Sequence, residues 1–65
     1  MACLTDKVIV AAMELAVEAD CLGEDRCERT EYVAENLRDR FPDLGHLTIQ
    51  VVAAEIVGSR DRGLW

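Results

Sequence analysis

Three cysteines and one histidine are the residues of this chain whose types suit metal binding or nucleophilic chemistry: Cys3, Cys21, Cys27 and His46. Three thiolates and an imidazole would make a zinc set. Their spacing opposes it. If the first helix is continuous, Cys3 and Cys21 stand about 27 Å apart at 1.5 Å per residue. Zinc–sulfur bonds are about 2.3 Å, so one ion cannot take both. Cys21, Cys27 and His46 leave only three ligands, with no CxxC pair to anchor them. A Cys21–Cys27 disulfide is sterically conceivable across Gly23, but a reducing compartment disfavours it. The expectation is small thiols lining the core. A reactive Cys27 beside Arg26 and Arg29 is the alternative.

Catalysis finds equally little to work with. A Cys–His or Ser–His–acid site would have to use His46, and the hydroxyls Thr5, Thr30, Thr48 and Ser59 lie in no recognised setting. The chain has no glycine-rich phosphate loop, no HExxH and no GxSxG. Glu14 and Glu18 stack at i, i+4 on a helix, yet 65 residues leave little room for a substrate pocket. The chain reads as no enzyme, with no cofactor and no metal.

The elements that position these residues are helices. Val8 to Leu22 is apolar, broken only by Glu14, Glu18 and Asp20. At 100° per residue Glu14 and Glu18 fall about 20° either side of Lys7, so those three mark one wet edge. A helix this apolar wants cover on several sides. It is expected from about Asp6 to about Cys21, with Thr5 as N-cap, Leu4 and Ile9 as a hydrophobic staple, and Gly23 beyond its end. A second helix starts near Asp25, where Asp25-Arg26-Cys27-Glu28 has the form of a capping box. Val33, Ala34, Leu37 and Phe41 give it one apolar face, and Pro42 stops it. A third begins between Gly45 and Thr48. Ile49, Val52, Ala53 and Ile56 form its stripe, widened by Leu47, Val51 and Val57, and Gly58 is its natural stop. The expected organisation is a three-helix domain over 1–58 and a loosely held tail over 59–65, with Trp65 folded back or inserted into a partner.

Composition narrows the function. The chain has 65 residues, 51% of them hydrophobic, and a formal net charge of −6. That is one domain, too apolar for intrinsic disorder. Between Glu14 and Glu35 stand Glu14, Glu18, Asp20, Glu24, Asp25, Glu28, Glu31 and Glu35 against only Arg26 and Arg29. Nucleic acid would be repelled by this region. The outline from Glu31 to Ser59 resembles helix–turn–helix, but its second helix offers only His46, Thr48, Gln50 and Glu55 before Gly58. The acidic run Glu24, Glu28, Glu31 and Glu35 reads as a solvated face, or as a surface for a basic partner. No secretory signal is visible and no stretch reaches the roughly 18–20 apolar residues of a membrane span. The expected place is therefore the cytoplasm, of a bacterium or of a phage-infected cell; separately, six Arg against one Lys hints at a GC-rich genome of origin.

One stretch carries a family likeness. Val33-Ala34-Glu35-Asn36-Leu37-Arg38-Asp39-Arg40-Phe41-Pro42-Asp43-Leu44, followed by Thr48-Ile49 and Val51-Val52, resembles the small three-helix-bundle dimerisation domains of actinobacteria. Their outline is a helix ending in Phe-Pro-x-Leu and then a helix with Val or Ile at this spacing. The resemblance implies dimerisation through helices and no catalysis. This chain departs in its longer, more apolar first helix and acidic surroundings. The combined reading is an all-α three-helix bundle that forms a helical homodimer or binds a partner protein. The interaction residues are expected to be Val8, Val10, Met13, Val17, Ile49, Val52, Ile56 and Trp65. The alternative is a small regulator, either an acidic phage-type inhibitor seated on a basic host surface or a helix–turn–helix DNA-binding protein.

Overall fold

The structure, a computed structural model, describes residues 6–23 and 25–64. They form three helices: α1 (Asp6–Cys21), α2 (Arg26–Arg40) and α3 (His46–Asp61). Each boundary has a local cause. After α1, Gly23 takes φ 71°, a left-handed conformation that a side chain would strain, and its N–H donates to the Asp20 carbonyl. Asp25 then caps α2, its side chain accepting from the Glu28 N–H at 3.0 Å. That satisfies one of the amide donors a helix start leaves without an internal partner. Phe41 ends α2 ahead of Pro42, its N–H donating to the Leu37 carbonyl at 2.8 Å. The expected cap Thr5 and its neighbour Leu4 lie outside the described residues.

One boundary differs from expectation. Gly58 does not stop α3. The helix runs on through Ser59 and Arg60 to Asp61, and the chain reverses only at Gly63, with φ 76°. A glycine inside a helix is tolerated at a cost of about 1 kcal/mol relative to alanine. Here the extra turn is held by ion pairs from Arg60 and Asp61 to the other two helices.

Sequence-adjacent helices run antiparallel. Tyr32, early in α2, reaches Glu18, late in α1. Arg26 and Arg29 at the start of α2 meet Asp61 at the end of α3. α1 and α3 are therefore parallel, and their C-terminal ends meet in the Arg60–Asp20 pair. The result is an all-α three-helix bundle with contacts among all three helices.

The core is aliphatic. α1 buries Val8, Ala11, Ala12, Leu15, Ala16 and Ala19; α2 buries Val33, Ala34 and Leu37; α3 buries Ile49, Val52, Ala53 and Val57. The four α1 alanines let its neighbours approach closely, because side-chain size at the contact sets the distance between helix axes. Tyr32, Phe41, Leu44 and Ile56 pack around the edge. The expected core thiols are not there: Cys21 and Cys27 are exposed and unbridged, because they sit at the end of α1 and in the first turn of α2, beyond the packed layers. Cys3 lies outside the described residues. Among the described residues no helix is long and apolar enough to cross a membrane.

Candidate interaction surface

The bundle sorts the expected interaction residues into two groups. Val8, Ile49 and Val52 are core, not surface. They lie on the sides of α1 and α3 that pack into the core of the same chain. Met13 and Ile56 are half-buried. Val10 and Val17 face solvent, 51% and 40% exposed. With Ile9 and Met13 they make an apolar strip along α1 beside the wet edge of Lys7, Glu14 and Glu18, all exposed. Trp65 and Glu24 lie outside the described residues.

Two residues expected only to widen the core stripe are the exposed large apolar side chains of α3: Leu47 is 78% and Val51 61% exposed. Ala54 is exposed one turn further on. The signal in the sequence was present but ambiguous. Apolar residues surround α3 almost completely, so periodicity alone does not separate its inner from its outer side.

Acidic residues line the outside of α2. Glu28, Glu31 and Glu35 are exposed, and no ion pair among the described residues involves them. The basic residues nearest in sequence are engaged elsewhere. Arg29, whose side chain is only 12% exposed, donates to both Asp61 oxygens at 2.9 and 3.2 Å and lies 3.4 Å from Asp20. Arg26 bonds Asp61 at 3.0 Å and Arg60 bonds Asp20 at 2.6 Å. Five side chains from three helices thus form one cluster at one end of the bundle. Hydrogen bonds from Arg29 and then Arg26 hold the Asp61 carboxyl down at about 2. The same bond to Asp61 raises the Arg29 guanidinium. Tyr32 Oη donates to Glu18 at 3.0 Å, which raises the phenol.

The cavities of this molecule are open surface depressions. One of about 420 Å³ lies between the start of α1 and the end of α2, lined by Asp6, Lys7, Val10, Ala11, Glu14, Arg40 and Phe41. Two others, of about 240 and 250 Å³, sit on α3: one is lined by Val51, Ala54, Glu55 and Arg62, the other by Leu47, Thr48, Val51 and Val52. Charged side chains rim the first two, and the third is mainly aliphatic. Among the described residues no group of three His, Cys, Asp or Glu side chains is placed to hold a metal ion. No family model, curated protein or solved structure matches the chain.

Proposed function

We propose that this chain is a small non-catalytic protein–protein interaction module, and that it acts by self-association as a homodimer. The observation that supports the reading is the outward apolar surface of α1 and α3: Val10, Val17, Leu47 and Val51 all point away from a core already filled by other residues. Exposed apolar side chains gathered along helices mark association surfaces more often than isolated ones do. The resemblance to three-helix dimerisation domains points the same way.

Mass by light scattering over a concentration series tests it. The expected result is a shift from the 7.2 kDa chain mass towards twice that value. A clean monomer at the highest concentration would remove the homodimer. A second reading has its own observation, the exposed acids Glu28, Glu31 and Glu35, which join no ion pair among the described residues and suit a basic protein surface. A host protein captured by the wild type but not by a chain with these three reversed in charge would favour that inhibitor reading. α3 presents Leu47, Gln50, Val51, Ala54 and Glu55 to solvent, a poor set for phosphates and bases. Retention of random duplex DNA that weakens steeply with salt would restore the DNA-binding reading.

A further inference from the structure

The outer side of α1 is apolar along its middle and acidic at one edge. Val10, Met13 and Val17 lie within about 30° of one line at 100° per residue. Val10 and Val17 are exposed and Met13 is half-buried. Glu14 and Glu18 follow on the side facing α2, four residues or about 6 Å of rise apart. Contacts fix that side: Tyr32 of α2 donates to Glu18, and Glu14 shares a depression with Arg40 and Phe41. Beyond Tyr32 the outward surface of α2 adds Glu28, Glu35 and Asp39, all exposed and within about 60° of it. We propose that this α1–α2 face docks a basic amphipathic helix of a partner protein. The apolar side of that helix lies on Val10, Met13 and Val17, and its Lys or Arg side chains meet the acids. The proposal goes beyond self-association, which Leu47 and Val51 on α3 can serve without α1.

Charge selects this occupant over a second copy. Glu14, Glu28, Glu35 and Asp39 join no ion pair among the described residues. Glu18 gives one carboxylate oxygen to Tyr32 and keeps lone pairs for a further donor. The basic residues beside these acids are Lys7 and Arg40, both at the depression, where Asp6 adds another acid. A second copy, itself of net charge −6, would bring the same acids to the same place, and like charges face to face oppose binding. A basic helix reverses the sign of that interaction. The depression, of about 420 Å³, offers an anchor point, since Val10, Ala11 and Phe41 line it. Val10 belongs to both features, so the apolar surface continues from Val17 to Phe41. A large apolar side chain at one end of the docked helix fits there, the usual arrangement when a helix lies in a groove.

The size of the surface sets the strength. One helix lying along about 24 Å of α1 buries less than the roughly 800 Å² per partner of a standard interface. Dissociation therefore falls in the micromolar range.

The test titrates the whole chain, in a calorimeter, with a helical peptide of about 18 residues that carries Leu along one side and Lys along the other. Two control peptides accompany it: the same composition scrambled so that no apolar side forms, and the original with Glu in place of Lys. The Leu/Lys peptide binds with micromolar dissociation that weakens in added salt, and both controls bind at least about tenfold more weakly. Val17→Ser weakens binding about tenfold and Glu14→Gln about threefold. Val51→Ser and Glu55→Gln, both on α3, leave it unchanged. Should Val17→Ser not fold by circular dichroism, Glu14→Gln, a change to one exposed group, carries the comparison. Equal losses from Glu14→Gln and Glu55→Gln, or equal binding of the scrambled peptide, would mean attraction by net charge alone and overturn the proposal. A loss confined to Val51→Ser, or no binding of the Leu/Lys peptide, would overturn it as well. Light scattering without peptide keeps the two readings apart. A monomer that binds the peptide removes self-association and leaves this proposal standing; a dimer that ignores the peptide does the reverse.

Discussion

Leu37 and Leu47 are the same residue ten positions apart, and the structure assigns them opposite fates. Leu37 is 0% exposed in the centre of the core, and Leu47 is 78% exposed on the outside of α3. Truncating each to alanine removes the same atoms. At Leu37 the loss combines the transfer free energy of a buried side chain with the cavity left among Val33, Leu15 and their neighbours, about 2–5 kcal/mol. A 65-residue domain at roughly 0.05–0.15 kcal/mol per residue has only about 3–10 kcal/mol in total, so Leu37→Ala removes much of it and lowers the melting temperature by more than about 10 °C. At Leu47 the change stays within about 0.5 kcal/mol. Urea unfolding followed by far-UV circular dichroism reads both, in dilute protein so that association adds nothing to stability. Should Leu37→Ala leave no folded state, Val57→Ala against Val51→Ala repeats the comparison at about 1.5–3 kcal/mol for the buried member. Equal losses at Leu37 and Leu47, or at Val57 and Val51, would refute the assignment of inner and outer faces and everything built on it.

Other outcomes follow from the ends of the helices. Asp61 is ionised down to about 2 when folded, against 3.8 ordinarily, so its contribution is present above 3.8 and lost as pH falls through about 2; Asp61→Asn should flatten the melting temperature across that interval and leave little difference below it. The Tyr32 phenol is raised by its bond to Glu18, so that contribution is present below 10.0 and lost as pH rises through the higher folded value; Tyr32→Phe should abolish this alkaline loss in melts at high pH. Asp25→Ala removes the α2 cap and should cost about 0.5–2 kcal/mol by urea unfolding, whereas Asp25→Asn should retain most of it. Cys21 and Cys27 are both exposed thiols and should react with a soluble disulfide reagent in the folded protein; reaction only on unfolding would contradict their placement.

The helix boundaries were legible where the chemistry is local. Asp25 before Glu28, Phe41 before Pro42 and Gly23 after the apolar run each act on the backbone within a few residues, so a linear reading finds them. The faces were harder. On α1 the bundle buries Ala11, Ala12, Ala16 and Ala19 while Val10 and Val17 stay outside. Ranking by hydrophobicity reverses that choice, because close helix approach selects small residues over apolar ones. On α3 the same ambiguity placed Ile49 and Val52 among the contacts and left Leu47 and Val51 in supporting roles. Gly58 misled because the stop signal it carries locally is outweighed by ion pairs reaching 32 and 40 residues along the chain, from Arg29 to Asp61 and from Asp20 to Arg60. Those pairs join residues with no common motif, and spacing cannot reveal them.

The five-membered charge cluster also gives the bundle two dissimilar ends. Where α1 and α3 finish and α2 begins, Asp20, Arg26, Arg29, Arg60 and Asp61 lace the helices together through ion pairs that range from exposed at Arg26 to largely covered at Arg29. At the opposite end, Phe41 and Leu44 lean on the core. Added salt screens the first kind of fastening and leaves the second nearly untouched. The two ends therefore answer differently to added salt: it screens the exposed Arg26–Asp61 contact most, the covered Arg29 contacts less and the apolar packing around Phe41 and Leu44 hardly at all.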